Sequence, residues 1–548
     1  MTLPTHPPTQ PGRLFGVGLG PGDPELVTLK ALRIIREAHV IAFPTAKHGR
    51  SIARSIVASE LTHGQIELPM VYPLTTEAPS DPGGYDAAIE DFYDRTAEEI
   101  SVHLQQGRDV AVLCEGDPFF YGSYMYLHDR LAHRFLTEVV PGISSVTAAS
   151  SRLGIALVRR DSVMTVLPAT LSEDQLEQKL RQPGAFVIIK IGRNFAKVKN
   201  ALRRARIEDR AYYIERATMA AERVLRVQDV DPESVPYFSL IVIPNAVPNA
   251  ISDPAANETA HTTNASNQPE IVVLGLGPGD PDWITPEVQQ ALHEATDLVG
   301  YQPYLDRVPH HPGQRHHGSD NKVEAERARD ALALAASGRR VCVVSSGDPG
   351  IFAMATAVVQ AIEEGPEAWR SIQLRVLPGV SAMQAAAARA GAPLGHDFCV
   401  LSLSNRLKPW EIITQRIRAA MSADLGLALY NPVSSERRWQ LGEAREIMLQ
   451  YRLPQTPVVL GYNLGKPNER VVITDLGSLD PATVDMQTIL LIGSSTTKMF
   501  ALADGRKLVY TPRTYGTADL KTDALTSAAT KEGTKEIGME IATGAATP

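Results

Sequence analysis

The chain has 548 residues, 44% hydrophobic, 21% charged and 6% aromatic, with a formal net charge of −8. Single cores seldom grow past roughly 250–300 residues, so this length predicts two or more domains. The acidic balance argues against a nucleic-acid footprint, which needs a basic surface, and no apolar run is long enough to span a bilayer.

Taken in chain order, residues 1–11 are expected to lack fixed structure. MTLPTHPPTQPGR has no apolar core of a signal peptide, so a cytoplasmic protein is expected. RLFGVG reads as a buried strand leading into the loop GLGPGDPELVT, Gly18 to Thr28. After it Leu26, Leu29, Leu32, Ile35 and Ala38 fall at helical spacing. DVAVLCEG, TEVVPG, SVMTVLP, AFVIIKIG, AYYIERA and YFSLIVIP follow as short apolar runs between helical patterns. Such alternation predicts α/β units with largely parallel sheets, whose ligand loops lie at the carboxyl ends of strands.

Residues 245–270, rich in Asn, Ala, Thr and Pro, read as a flexible linker. Beyond it the first loop returns as LGLGPGDPDWIT, Leu274 to Thr285, and Thr285-Pro286-Glu287 is a helix start: a cap, a proline at the first position, an acid in the first turn. VAVLCEGDPFFYGS matches VCVVSSGDPGIFAM, and VVPGISSVTAASSRLGIAL matches VLPGVSAMQAAAARAGAPL. These blocks set Asp23 opposite Asp280, Asp117 opposite Asp348, Ser144 opposite Ser381 and Arg152 opposite Arg389. Three blocks in one order define a duplicated unit, 12–244 and 271–514, followed by a flexible tail over 515–548. Asp23 to Asp117 spans 94 residues and Asp280 to Asp348 only 68, so the first copy carries an insertion.

The loops exclude some ligands. Gly18-x-Gly20 is followed by Asp23 where a dinucleotide motif needs glycine, and Pro21 and Pro24 remove N–H donors that a pyrophosphate would use. No GK[ST] follows either loop. An adenosyl group with a cationic sulfonium fits better: glycines allow close backbone approach, Asp117 and Asp348 offer carboxylates, and Ser144, Ser145 and Ser381 offer hydroxyls. Against this stands the plainer reading that Gly and Pro merely make tight turns. Three loop types, each found twice, favour a ligand. Cys114, Cys342 and Cys399 form no CxxC pattern, so neither a disulfide framework nor a metal site is expected.

These blocks resemble the tetrapyrrole (corrin and porphyrin) methyltransferase family over nearly the whole chain outside tails and linker. The first half resembles the precorrin-2 C(20)-methyltransferases through GVGLGPGDPELVTLKALR, PGGYDAAIEDFYD, KIGRNFAKV and YIERATMAAERV. The second resembles the precorrin-3B C(17)-methyltransferases through LVGYQPYLD, GSDNKVEAERARDALALAASGRRVCVVSSGDPGIFAMA, LYNPVSSERRWQL and GYNLGKPNERVVIT. The resemblance implies two tandem tetrapyrrole methylase units, each of two α/β lobes with an S-adenosylmethionine (SAM) cleft between them. Carried over by motif, SAM would be held by Pro21, Gly116, Asp117, Phe120, Ser144, Ser145 and Ile191 in one half. Pro278, Gly347, Asp348, Ile351, Ser381, Ala382 and Asn431 would hold it in the other.

The implied chemistry is methyl transfer from sulfonium to a ring carbon already made nucleophilic by the macrocycle, so alignment and a dry cleft matter more than a strong base. Ring contraction in the second half suggests an acid–base group, for which His316 and His317 are candidates beside the reading of a solvated loop. Substrate carboxylates need cations: Lys47, Arg50, Arg159, Arg160, Lys190 and Arg193 in copy one, and Arg315, His316, His317, Arg437 and Arg438 in copy two, are candidates, of which two or three are expected to serve. The charges of EAERARDALALAASGRR read as one solvated helix face. Cobalt-loaded substrates, or a tetrapyrrole carrier with one inactive half, are the alternatives. Expected partners are small-molecule tetrapyrroles, with no nucleic acid and no membrane, and pairing as either a homodimer of fused chains or an internal pseudo-dimer of the halves.

Overall fold

The computed structural model describes residues 10–46, 49, 51–73, 84–155 (backbone only at 84–86), 157–158, 163–245, 269–320, 323–434, 436–502 and 504–512. Lys47, Arg50, Arg159 and Arg160, nearly all of the linker and the tail fall outside them.

The strands in chain order are β1 (Leu14–Gly18), β2 (Val40–Thr45), β3 (Ile66–Val71), β4 (Val110–Cys114), β5 (Thr137–Val140), β6 (Met164–Pro168), β7 (Ala185–Ile189), β8 (Tyr212–Glu215), β9 (Arg223–Arg226) and β10 (Ser239–Ile243) in the first half. The second half has β11 (Glu270–Gly275), β12 (Asp297–Tyr301), β13 (Arg315–Ser319), β14 (Val341–Ser345), β15 (Gln373–Leu377), β16 (Gly391–Ala392), β17 (Phe398–Ser402), β18 (Gly426–Tyr430), β19 (Pro457–Tyr462), β20 (Arg470–Asp475), β21 (Thr488–Ile492), β22 (Lys498–Ala501) and β23 (Lys507–Tyr510). Every apolar run named above is among them.

Each half opens with a five-stranded sheet, in the order β3-β2-β4-β1-β5 and again β13-β12-β14-β11-β15. All pairings in both are parallel. The central strands β1, β4 and β14 are buried throughout, as parallel strands covered by helices on both faces must be. The helical spacing after the first loop becomes helix Leu29–Glu37, capped by Thr28, while Leu26 sits in the 3-10 turn before it. Thr285 caps helix Pro286–Glu294 with the proline in its first turn, as read from sequence. The longer spacing in the first copy accommodates a 22-residue helix, Gly84–Gln105, where the second has the 13-residue Glu324–Ala336.

The second lobes depart from the expected parallel arrangement. Their strands form one ten-stranded mixed sheet, β20-β19-β21-β18-β17-β6-β7-β10-β8-β9. Read outward from the middle, the order is the same in both directions. The seam is antiparallel, with Met164 opposite Val400 and Val166 opposite Phe398. One apolar core crosses it, joining Val146, Met164 and Val166 to Met383, Phe398 and Val400. The two halves are therefore joined edge to edge through one continuous sheet and one shared core. Two further cores lie beneath the helices on the opposite face of the sheet. No helix among the described residues is long and apolar enough to cross a membrane.

Candidate active site

In the first sheet the neighbours β4, β1 and β5 deliver three loops to one edge. Gly20 and Gly116 exchange backbone hydrogen bonds (N–H to O, 3.2 and 2.7 Å). Asp117 then fastens two loops at once: Oδ1 accepts the N–H of Phe119 (2.9 Å) and Oδ2 that of Gly142 (3.0 Å). Ser144 caps helix Ser145–Leu153 by accepting from Thr147 N–H. The second half repeats each element. Gly277 and Gly347 exchange bonds (3.2 and 2.9 Å), Asp348 accepts from Gly350 (2.8 Å) and Gly379 (3.2 Å), and Ser381 caps helix Ala382–Ala390.

Gly116 and Gly347 take left-handed φ values of +69° and +67°, and a Cβ on either would meet no atom closer than 4.0 Å. Both cradles are thus open where the side chain is missing, as a backbone-contacting ligand requires. A glycine of the neighbouring loop is needed for the opposite reason, because a Cβ on Gly142 or Gly379 would overlap the Gly116 or Gly347 carbonyl oxygen. Pro21, Phe120, Ser145, Pro278, Ile351 and Ala382 belong to these same loops or helix starts.

The two aspartates differ from expectation in their role. Each is buried with both oxygens on backbone N–H groups, so each holds the cradle together instead of offering a carboxylate to ligand hydroxyls. Burial pushes the Asp117 carboxyl up from 3.8 to about 7, against the pull of the Gly142, Phe119 and Phe120 N–H groups, and Asp348 up to about 6. A carboxyl raised in the folded state favours folding fully below its unfolded value and loses that contribution as pH rises through the folded one. The urea midpoint is therefore expected to carry a component that falls between about pH 4 and pH 7 and is absent from Asp117→Asn. Asn also sets an amide donor against a backbone N–H, at a cost of about 1–3 kcal/mol. Identical pH dependence in the two proteins would contradict this assignment.

The second lobe closes over each cradle through a turn after β8 or β19. Thr218 Oγ1 accepts Asp23 N–H (3.1 Å), and Gly279 approaches the backbone of Leu464 and Gly465. Glu222 braces the turn, accepting from Thr218 N–H (2.6 Å) and Arg152 Nε (2.8 Å); Glu469 does so from Gly465 N–H (2.6 Å) and Arg389 Nε (2.6 Å). The arginines matched in the sequence repeat are thus braces between lobes.

Strand register corrects one pair of expected residues. Ile189 ends β7 as Tyr430 ends β18, so Lys190 is the counterpart of Asn431; both take positive φ, +57° and +50°. Ile191 stands one residue on, its side chain buried in the core under the helices with Phe195. Lys190 places its ammonium 5.2 Å from the Tyr121 ring centre, in the loop after Asp117.

The histidines lie elsewhere. His317 Nε2 binds Asp297 (2.7 Å), the first residue of β12, which also takes Arg339 from the segment before β14. His316 stacks on His310 at 3.8 Å. Arg315 is exposed at the first position of β13. The cradle loops follow the carboxyl ends of β11, β14 and β15, whereas His317 is tied to the first residue of β12 and His316 to His310, so these contacts do not bring the two histidines to the cradle. Arg193 and Arg438 are exposed. Arg437 is buried, its Nη1 donating to the carbonyls of Leu403 (3.2 Å) and Asn431 (3.3 Å). Two cations escaped the sequence reading: Arg307 donates to the carbonyls of Leu276 and Gly277, and Lys466 lies against Gly279. Arg327, read as part of a solvated helix face, is instead buried with its Nε on Ser319 Oγ (2.8 Å).

A glycine cradle at the carboxyl edge of a parallel sheet, open beside a left-handed glycine and faced by a second lobe, is the architecture of an α/β small-molecule site, here built twice. Residues 13–229 and 270–480 both match the sequence profile of the tetrapyrrole (corrin/porphyrin) methylases, and the chain belongs to that family. It is 49% identical over 515 residues to the cobalamin biosynthesis protein CobIJ of Mycobacterium tuberculosis (strain ATCC 25618 / H37Rv), covering 93% of this chain and 97% of that one. A precorrin-3B C(17)-methyltransferase of a Sinorhizobium species is 49% identical over 248 residues, 45% of this chain and 98% of its own length. A precorrin-2 C(20)-methyltransferase of that source is 47% identical over 234 residues, 42% of this chain and 95% of its own.

Proposed function

We propose that this chain is a bifunctional SAM-dependent methyltransferase of cobalamin synthesis. The first half methylates precorrin-2 at C(20), giving precorrin-3A. The second methylates precorrin-3B at C(17) with ring contraction to precorrin-4. One observation carries the reading: two relatives of single activity each match, over almost their whole length and at 47–49% identity, less than half of this chain.

SAM supplies an electrophilic methyl group on sulfonium when bound, one molecule per half in this reading. The chain's own part is to receive and align it. Gly116 and Gly347 leave room against the backbone, and Pro21 and Pro278 shape the adjoining turns. Ser144, Ser145, Ser381 and Ala382 present the starts of two helices, while Lys190 and Asn431 stand at the facing strand ends. Phe120, packed on Phe398 at 5.5 Å, helps to exclude water from the first cleft. Arg437 fixes the Asn431 carbonyl and keeps no ion-pair partner among the described residues, so it is the substrate-carboxylate candidate retained in the second half.

Calorimetry with SAM should find two sites per chain. Precorrin-2 should gain one methyl group by mass, and precorrin-3B one methyl group with contraction of the ring. A single site would leave one half inactive. Turnover of cobalt-factor II and III, with none of the metal-free compounds, would move the reading to the cobalt route.

A further inference from the structure

The two cradles share a backbone and differ in charge. After β4 the first half has Glu115, which accepts the Ala53 N–H (3.1 Å) and is pushed up by burial. The equivalent residue after β14 is Ser346, and beside it stands Arg307. Arg307 Nη2 donates to the carbonyls of Leu276 and Gly277 (both 3.1 Å), and Nη1 to Ser346 Oγ (3.3 Å). The turns after β8 and β19 differ likewise. Met219 lies against Gly22 in the first half, Lys466 against Gly279 in the second, each donating its N–H three residues back, to Arg216 and Asn463. A carboxyl and a thioether have become two cations.

A guanidinium offers five N–H donors. Arg307 uses three, and its Nε–H and second Nη1–H have no acceptor among the described residues. Neither Arg307 nor Lys466 forms an ion pair with a carboxylate there. Lys466 Nζ reaches only the neutral Gln487 Oε1 (2.8 Å). Burial pushes both cations' pKa values down, and the Arg307 charge lowers that of Lys466 further. Two partly desolvated like charges beside one loop are costly unless an anion joins them.

We propose that Arg307 and Lys466 form a carboxylate-binding site of the second cradle, without counterpart in the first. The inference rests on reading the second half as a SAM-dependent methyltransferase. Its ligand is a carboxylate lying beside the Gly-Pro-Gly-Asp loop, from either the aminoacyl end of the methyl donor or an acetate or propionate arm of the macrocycle. In the first half Glu115 and Met219 offer that anion nothing, so the pair separates the two specificities.

The test uses the whole chain with Arg307→Met and Lys466→Met, the latter installing the first half's residue. S-adenosylhomocysteine and 5′-methylthioadenosine, which lacks the carboxylate, are titrated by calorimetry, and precorrin-3B turnover is measured. If the carboxylate is the donor's, affinity for S-adenosylhomocysteine falls roughly 10- to 100-fold at one site only, while 5′-methylthioadenosine binds as before. If it is the substrate's, both nucleosides bind unchanged and KM for precorrin-3B rises by a similar factor with kcat nearly kept. Precorrin-2 turnover, unaltered in both variants, shows that the fold is intact. Unchanged nucleoside affinity together with unchanged KM would overturn the proposal, as would equal losses at both sites. A wild-type chain with no second nucleoside site would remove the underlying reading, and the proposal with it. Wild-type nucleoside binding without precorrin-3B turnover would leave the donor arm standing as its own test.

Discussion

Alanine at Gly142 should slow the first methylation by on the order of 10²-fold while leaving the second within a few-fold, and alanine at Gly379 should do the reverse. Three loops meet at each of these glycines. The added Cβ of Gly142→Ala would overlap the Gly116 carbonyl oxygen and crowd the backbone of Gly18; that of Gly379→Ala would overlap the Gly347 carbonyl and crowd Gly275. All the obstructing atoms are main chain, so no rotamer relieves the overlap. Relief means moving a loop by about 1 Å, which in a positioned site costs on the order of 10²-fold in rate. The overpacking itself costs about 1–3 kcal/mol of stability. Gly142 also carries the Asp117 bond on its N–H and accepts Gln384 Nε2 from the other half on its carbonyl (2.8 Å), so its displacement loosens several contacts together. Separate assays with precorrin-2 and precorrin-3B check the crossed pattern. Full first-site activity in Gly142→Ala would show that the cradle is not where the methyl group is transferred.

The second large effect concerns the seam. Expressed as separate polypeptides, residues 10–245 and 269–512 should each sediment as dimers, whereas the intact chain should sediment as a monomer. Cutting the halves apart strips β6 and β17 of their partners and exposes Met164, Val166, Phe398 and Val400, all buried in the whole protein. An unpaired strand edge flanked by apolar surface is a template for another strand. The two seam strands occupy equivalent places in a palindromic order, so a second copy of the same half presents the same edge in the same antiparallel sense. Monodisperse, stable monomers of either half would contradict this account of the interface.

Much of this was legible in the sequence because it depends on local chemistry. Glycine and proline sit where loops must approach closely, threonine and serine where helices begin, and unbroken apolar runs where strands are covered on both faces. What escaped depends on distant placement. Lys190 was displaced by one position because KIGR and YNPV share no letter, and only the pairing of β7 with β6 and of β18 with β17 fixes their register. The density of histidine in HHPGQRHHGSDN suggested proton transfer, yet His317 is held by Asp297 at the start of β12 and His316 stacks on His310. Arg307 lies in a stretch with no motif, and only folding brings its guanidinium onto Leu276 and Gly277. The mixed second sheet was missed because strand runs do not reveal the sense of their pairing.

The seam between β6 and β17 also governs supply. Two enzymes made separately meet their mates by diffusion, and their proportions follow expression. Here each half finds its mate at an effective concentration on the order of millimolar, whatever the abundance of the chain in the cell. The two catalysts are present one for one and cannot be diluted apart. Any inherited change in the strip Met164–Val166 or Phe398–Val400 is consequently tested by selection on both reactions at once.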